Sequence, residues 1–495
     1  MKPKLVIRAD ASGRMGTGHI MRCIALAQAW QDMGGEVSLL ARELPAALAD
    51  RVAREGIVLI APRLDHSDVD DTCTAAAEAD WVVIDGYQFD TVFADRVSSS
   101  AKHTLFVDDL GQLDHYAASL VLNQNITADS STYANQATHT QLLLGGRYAL
   151  LRREFRCTAT RRDAATPIER VLVTLGGSDP DNVTTKVIDA LLLLPQIHAK
   201  VIVGAANPRR EELARHCLQA GGRIELLPPV ENMVPLMDEA QLAISAGGTS
   251  VLELASRGLP TLLIAIADNQ LAICETMRDR GVMAYAGWHT DVSPAALALA
   301  LDEFTSEAAI PQRAQFIERG LELVDGQGAI RVAREMLALT AQRLVRVRAA
   351  TMNDARRVLD WANDPVTRSV SFNQTLISWA DHEPWFARRL ADASCLLLIG
   401  EDLQGNAIGM VRFDVANRIA TISINIAPEH RQRGLGTALI LVACREAVAS
   451  GAATQIRALI KPDNTASQRA FQRAGFTVAD DEDVAGQRAL CMVSN

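Results

Sequence analysis

The hydrophobic positions of this chain fall into short blocks. Over the first 120 residues, LVIRAD (5–10), EVSLLAR (36–42), IVLIAP (57–62), WVVIDGY (81–87), HTLFVDD (103–109) and SLVLNQN (119–125) are largely apolar rather than alternating. Such runs predict strands buried on both faces of a parallel sheet. Between several of them lie helix-like stretches such as IMRCIALAQAWQDMG (20–34), which ends at glycine, a common helix stop. Strand and helix alternate, so this segment reads as a doubly wound α/β domain.

After the polar stretch TATRRDAATP (158–167) the rhythm restarts with RVLVTLGGSD (170–179), KVIVGAAN (200–207), IELLPPV (224–230), LAISAGGTS (242–250) and PTLLIAIADNQ (260–270). A second Rossmann-like domain is expected, facing the first across a cleft, the default place for a ligand. From residue 344 the order changes. LVRVRAATMNDARRVLDWAND (344–364) reads as a strand, a turn capped at Asn353–Asp354, and a helix. SCLLLIGED (394–402), GMVRFDV (409–415) and TISINIAP (421–428) read as strands before a helix from Gly436. This predicts an α+β unit. The expected domains are 1–157, 158–340 and 344–495, with a helix around 328–343 as connector.

Composition narrows the function classes. The 495 residues are 48% hydrophobic and 22% charged, enough for several buried cores. The formal net charge of -10 argues against a general binder of nucleic acid or acidic membrane, which needs a basic surface. The eight cysteines are scattered without a CxxC pair, so neither a zinc site nor a disulfide framework is expected. MKPKLVIRAD lacks a signal-peptide core. No run of about 18 apolar residues offers a membrane span. The expectation is a cytoplasmic protein with no metal, nucleic-acid or membrane partner.

Two stretches carry chemistry in the first 330 residues. SGRMGTGHIMRC (12–23) places Gly13, Gly16, Gly18 and His19 between a strand and a helix. The spacing is GxxGxG, and no P-loop lysine follows. Glycines admit a close ligand, and a helix start offers free N–H groups. An imidazole there can take a proton from water near neutral pH; a histidine that only caps the loop is the competing reading. ISAGGTSVLELASRGLP (244–260) ends a strand and opens a helix. Its amides at Gly248, Thr249 and Ser250 are candidates for a pyrophosphate. Glu253, one turn in, is a candidate for ribose hydroxyls or a solvated side chain. LGGSDPDN (175–182), with Gly177, is a second glycine loop or an ordinary turn.

RADASGRMGTGHIMRCIALA, IDGYQF, LLGGRYALLRREF, VLVTLGGSDPDN, ISAGGTSVLELASRGLP and ADNQ occur in this order. Together they resemble the UDP-sugar hydrolases of pseudaminic acid biosynthesis over roughly residues 1–335. That resemblance implies a GT-B-like arrangement of the two Rossmann-like domains. It also implies hydrolysis of UDP-2,4-diacetamido-2,4,6-trideoxy-β-L-altropyranose to UDP and the free sugar, by inverting attack of water on the anomeric carbon. It makes His19 the base and puts Tyr87 and Asn269 near the sugar and water. UDP is already a good leaving group, so a base and donors for the growing pyrophosphate charge suffice.

IAPEHRQRGLGTALI (426–440) contains an R-x-x-G-x-G loop opening a helix, and ALIKPDNTASQRAFQRAGF (458–476) follows. A backbone loop of this kind can cradle a pyrophosphate. The pair resembles the GNAT N-acetyltransferase superfamily over 344–495. VRAATMNDARRVLDWAND and DHEPWF make it look like the acetyltransferase of the same pathway. The resemblance implies acetyl-CoA as co-substrate, held by Ile426, Arg431, Arg433, Gly434, Leu435, Gly436 and Thr437. Asn464 would touch the pantetheine arm or fix the last helix. Phe471 stands where many members have a tyrosine that protonates the leaving thiolate. Glu429 and His430 are candidates for the base, and Trp385 for the sugar pocket or the core. The expected whole is a bifunctional enzyme acting on a UDP-activated amino sugar: N-acetylation of the 4-amino group of UDP-4-amino-4,6-dideoxy-N-acetyl-β-L-altrosamine, then release of UDP. A GT-B glycosyltransferase with an acceptor-modifying acetyltransferase, a non-catalytic nucleotide-sugar-binding regulator, and the same steps on another stereoisomer remain alternatives.

Overall fold

The computed structural model describes residues 2–494 apart from 13–14, 158–161, 177–178, 205–206, 432 and 485. The chain divides into two compact units. One comprises residues 4–28 and 36–329; the other comprises 1–3, 29–35 and 330–495.

The larger unit holds two parallel sheets. In the first, β1 (Lys4–Ala9), β2 (Glu36–Leu40), β3 (Val58–Ile60), β4 (Trp81–Asp85), β5 (Thr104–Val107), β6 (Leu120–Asn123) and β7 (Gln141–Leu144) lie in the order β3-β2-β1-β4-β5-β6-β7. In the second, β8 (Arg170–Thr174), β9 (His198–Ile202), β10 (Ile224–Leu227), β11 (Leu242–Ala246), β12 (Thr261–Ala265) and β13 (Ala284–Trp288) run β10-β9-β8-β11-β12-β13. All pairings in both are parallel. The apolar runs form these strands because helices cover both faces. Every residue of β4, β5, β6, β11 and β12 is buried. IVLIAP departs from the expectation of a strand buried on both faces: β3 is an edge strand, and Val58 is 63% exposed.

Chain order reverses between β1 and β4 in the first sheet and between β8 and β11 in the second. Open α/β sheets bind ligands outside the carboxyl ends of their strands at such a switch point. The glycine corner after β1, the Asp85–Tyr87 turn after β4, and the loops after β8 and β11 therefore lie where the topology opens a crevice.

The smaller unit is built on a mixed sheet. β14 (Val345–Ala349), β15 (Cys395–Asp402), β16 (Ala407–Ala416), β17 (Ile419–Ile426), β18 (Gln455–Ile460), β19 (Thr477–Val478), β20 (Glu482–Val484) and β21 (Gln487–Ser494) run β14-β15-β16-β17-β18-β21-β19, with β20 beside β21. Every pair is antiparallel except β17 with β18. The helix Gly328–Ala341 precedes this sheet. Asp354 is the N-cap of the helix Ala355–Ala362, within the expected Asn353–Asp354 cap, although its side chain makes no cap bond there; the short turn Met352–Asp354 before it has a cap of its own. Thr351 is the N-cap of that turn and forms a reciprocal capping box with Asp354, because Asp354 is held from the other side by Arg348, whose Nη1 and Nη2 donate to its carboxylate at 2.8 and 2.9 Å.

The Arg348 guanidinium, together with the Thr351 donors, outweighs burial and holds the Asp354 carboxyl down at about 2. A carboxyl depressed in the folded state adds stability above its unfolded pKa and loses it as pH falls through the folded one. Asp354→Ala is therefore expected to destabilise the chain at neutral pH by about 2–4 kcal/mol. In thermal unfolding, the gap to the wild type should close as pH falls toward about 2. A gap independent of pH would refute the ion-pair account.

Candidate functional site

His19 is the second residue of the helix Gly18–Asp32, directly beyond the glycine corner. Gly16 sits at φ +76°, where glycine is favoured, and its N–H donates to Ser12 O at 2.9 Å. Gly18 has no such backbone need. A Cβ built on either glycine meets nothing within 4 Å. At Gly18, then, nothing among the described residues demands the absence of a side chain, as expected of a surface kept clear for a ligand.

One turn on, a buried arginine organises the corner. Arg22 Nε and Nη2 donate to the two oxygens of Asp85 at 2.7 and 2.6 Å. Its Nη1 donates to both oxygens of Asp109 at 2.9 and 2.8 Å. Asp85 ends β4 and is fully buried. Burial alone would raise its carboxyl, but Arg22 and His19 overcome this and hold it well below the usual range. His19 Nδ1 lies 2.6 Å from Asp85 Oδ1. Tyr87 donates its hydroxyl to Asp109 Oδ2 at 2.9 Å and sets its ring edge-on to the imidazole, centroids 4.8 Å apart. Partial burial and the Asp109 carboxylate push the Tyr87 hydroxyl above its ordinary value, so it stays a donor at neutral pH. Asn125 Nδ2 completes the cluster at 3.1 Å from Asp109 Oδ1. Burial and the Asp85 charge push the Cys23 thiol well up, which excludes a thiolate nucleophile there at neutral pH.

The two loops of the second sheet differ. After β8, Asp179 turns its own carboxylate into the start of the helix Val183–Leu192. It accepts from Val183 N at 2.8 Å and Thr184 N at 2.9 Å. Those helix-start donors are already filled from within; Gly177 itself lies outside the described residues. After β11 the helix Ser250–Ser256 has no side-chain cap. Its first loop bonds are Val251 N to Gly248 O and Leu252 N to Thr249 O, both 3.1 Å. Among the described residues, no hydrogen bond engages the N–H of Gly248, Thr249 or Ser250. Gly247 has no room for a side chain, since a Cβ would fall 2.5 Å from Cys274 Sγ, whereas Gly248 faces open space. Gln270 Oε1 anchors this loop through Gly247 N at 3.2 Å. Asn269 beside it is exposed. Glu253 faces Arg152, with Oε1 3.3 Å from Nη2.

In the third sheet, β17 and β18 pair only from Ile419–Gln455 to Ile422–Ala458. Ser423–Ile426 stay paired to β16, and their other edge is free of β18 pairing. The chain then turns through Pro428–His430 and Gly434, at φ +77°, into the helix Leu435–Ala449. The first bond into that helix is Ala438 N to Gly434 O at 3.3 Å. Among the described residues, no hydrogen bond engages the N–H of Leu435, Gly436 or Thr437. The side chain of Arg431 is committed elsewhere: Nη1 donates to Asp364 at 2.6 Å, Nη2 to Thr367 Oγ1 at 2.8 Å and Nε to Ile426 O at 3.1 Å. It holds the loop in shape, and Arg433 is exposed. Asn464 caps the helix Thr465–Arg473 through Ser467 N at 3.1 Å. Phe471 is buried edge-on against Phe476. Trp385 packs under Arg412, 5.6 Å from its ring centre. Glu429 is exposed and His430 half-buried.

Asp85, Arg22, Asp109, Asn125 and Arg152 had no place in the sequence reading of the site. Their signals were present: an acid ending a buried run, and an arginine three residues after His19.

Residues 344–477 match the acetyltransferase (GNAT) domain family model, and the third sheet is its fold. The chain thus joins two parallel Rossmann-like sheets to a GNAT domain. The spore coat polysaccharide biosynthesis protein SpsG of Bacillus subtilis (strain 168) is 25% identical over 343 residues, 68% of this chain and 99% of SpsG. Acinetobacter baumannii MurG is similar over 68% of this chain and 99% of its own, at 15% identity and TM-score 0.48. The spermidine N-acetyltransferase from Vibrio cholerae, solved with CoA and spermine, covers 30% of this chain and 95% of its own, at 22% identity and TM-score 0.29.

If Gly248 is kept bare for a ligand, Gly248→Ala should leave the melting temperature within about 2 °C. If that ligand is the UDP expected from the sequence, calorimetric titration with UDP should show affinity lower by about tenfold or more, ~1.4 kcal/mol. Equal loss of stability and affinity would make it a folding residue instead.

Proposed function

We propose that the chain is a bifunctional nucleotide-sugar enzyme of the cytoplasm. Its GNAT domain transfers the acetyl group of acetyl-CoA to an amino group on a UDP-linked sugar. Its larger unit, in a GT-B-like arrangement, then hydrolyses UDP from the product. The observation that carries this reading is the pairing of chemistries in one chain: a buried, acid-backed histidine at an open glycine corner, and a splayed β17–β18 edge leading into a glycine loop.

In the first step the sugar amine attacks the thioester carbonyl, the carbon–sulfur bond breaks and CoA leaves as thiolate with the bonding electrons, while the proton lost by the nitrogen passes to solvent. The free edge of Ser423–Ile426 suits an extended pantetheine arm. The N–H groups of Leu435, Gly436 and Thr437 suit a pyrophosphate. Arg431 shapes that loop, and Asn464 serves by capping the last helix. Phe471 has no proton to give the thiolate.

In the second step His19 takes a proton from water as its oxygen bonds to the anomeric carbon, with inversion. The carbon–oxygen bond to UDP breaks, and its electrons leave with the phosphate. The N–H groups of Gly248, Thr249 and Ser250 receive that charge. Glu253 reaches the ribose by giving up Arg152, and Tyr87 and Asn269 approach the sugar and water. The substrates best matched by the motifs are UDP-4-amino-4,6-dideoxy-N-acetyl-β-L-altrosamine and then UDP-2,4-diacetamido-2,4,6-trideoxy-β-L-altropyranose, two consecutive steps of pseudaminic acid biosynthesis. SpsG, named for polysaccharide biosynthesis, supports a carbohydrate role for the larger unit.

Incubation with the UDP-4-amino sugar and acetyl-CoA should give CoA, UDP and a free diacetamido sugar by mass spectrometry; without acetyl-CoA, no UDP should appear. His19→Ala should slow UDP release by about 10²–10⁴-fold while acetyl transfer continues, so the acetylated UDP-sugar accumulates. UDP release unchanged in His19→Ala would remove His19 from the reaction. Release that requires a sugar acceptor would favour a glycosyltransferase.

A further inference from the structure

We propose that Asp85 is the positioning residue of His19. It fixes the proton of the imidazole on Nδ1 and leaves Nε2 bare to receive the proton of the reacting water. The inference rests on the hydrolytic reading for its kinetics, while its structural part stands alone.

His19 Nδ1 has two neighbours: Asp85 Oδ1 at 2.6 Å and Arg22 Nη2 at 3.2 Å. A bare Nδ1 could accept from the guanidinium, but its lone pair would then face an ionised carboxylate oxygen at 2.6 Å with no proton between. An ionised carboxylate only accepts. The shorter contact decides, so Nδ1 carries the proton and donates it to Asp85. The Arg22 contact follows from both groups binding the same oxygen, since Nη2 itself donates to Asp85 Oδ1 at 2.6 Å.

Asp85 has no freedom to turn away. It is fully buried and receives Arg22 Nε, Arg22 Nη2, His19 Nδ1 and, at 3.4 Å, Cys23 Sγ. Arg22 is in turn pinned by Asp109, which also takes the Tyr87 hydroxyl. The Tyr87 ring meets the imidazole edge-on. The ring of His19 is thus held on two sides, and among the described residues no hydrogen bond engages Nε2. A histidine whose far nitrogen is fixed by a carboxylate presents a defined lone pair at the other. The positive Arg22 also offsets the Asp85 charge, so the buried pair is tolerated before any imidazolium forms.

The test reads the tautomer directly. The protein contains ten histidines; with ¹⁵N-labelled histidine, His19→Gln identifies the His19 signals by difference. At a pH where the ring is neutral, the wild type should show a protonated Nδ1 and a bare Nε2. Asp85→Asn, whose amide can donate to Nδ1, should move the proton to Nε2. It should lower kcat for UDP release by about 10²–10⁴-fold with KM changed only a few-fold. A wild-type spectrum with the proton on Nε2 overturns the proposal, and so does an Asp85→Asn variant with unchanged tautomer and kcat. If the variant does not fold, the wild-type spectrum still decides. Absence of UDP release from the wild type would defeat the hydrolytic reading alone, because the nitrogen spectra do not depend on turnover.

Discussion

The larger unit depends at its working edge on one buried cation. Arg22 lies in an apolar helix with 5% of its surface exposed, where an unpaired charge would be prohibitively costly. Its fork onto Asp85 and Asp109 ties the helix after β1 to the ends of β4 and β5, and Asn125 extends the tie past β6. Because the strands are parallel and β1 neighbours β4, these groups converge at one end of the sheet. Removing Arg22 leaves two carboxylates, one of them fully buried, without their shared cation, so the cluster depends on it. Its geometry fixes the imidazole of His19 and the hydroxyl of Tyr87 together.

The two anion-ready loops show how similar backbone patterns diverge in use. Asp179 fills the helix start after β8, while the helix start after β11 is left open. In the GNAT domain the corresponding opening is made differently. Parallel pairing of β17 with β18 stops at Ile422–Ala458, and the strands continue apart. Arg431 braces the loop through Asp364 and Thr367 rather than reaching outward. In each open case the free groups are backbone N–H donors, and a side chain braces the loop, Gln270 through Gly247 N in one and Arg431 through Ile426 O in the other.

Much of this architecture was legible in the apolar runs. The runs assigned to β1, β2 and β4 to β6 became strands within a residue or two of their expected limits; those of the second sheet start where expected, but the strands stop short of the loop residues that close each run. β13 escaped because AYAGW is half-exposed and contains Gly287 at φ +125°, so it makes no apolar block. The short terminal strands β19 and β20 carry no periodicity to detect. His19 and the glycines could be singled out because strand, glycine loop and helix are contiguous in sequence. Asp85 could not be tied to His19 in the same way. The two are 66 positions apart, and only the sheet order makes β4 the neighbour of β1. An aspartate ending a strand reads as a solvated loop residue until that order is known.

In the proposed hydrolysis, water activated at His19 attacks the sugar carbon rather than the phosphorus. Turnover of the acetylated UDP-sugar in H₂¹⁸O tests it most directly. Attack at carbon gives one ¹⁸O in the anomeric hydroxyl of the free sugar, none in UDP, and an inverted anomer in the first spectra recorded. Label in UDP would mean phosphorus–oxygen cleavage and would contradict the assignment of His19 to the anomeric carbon.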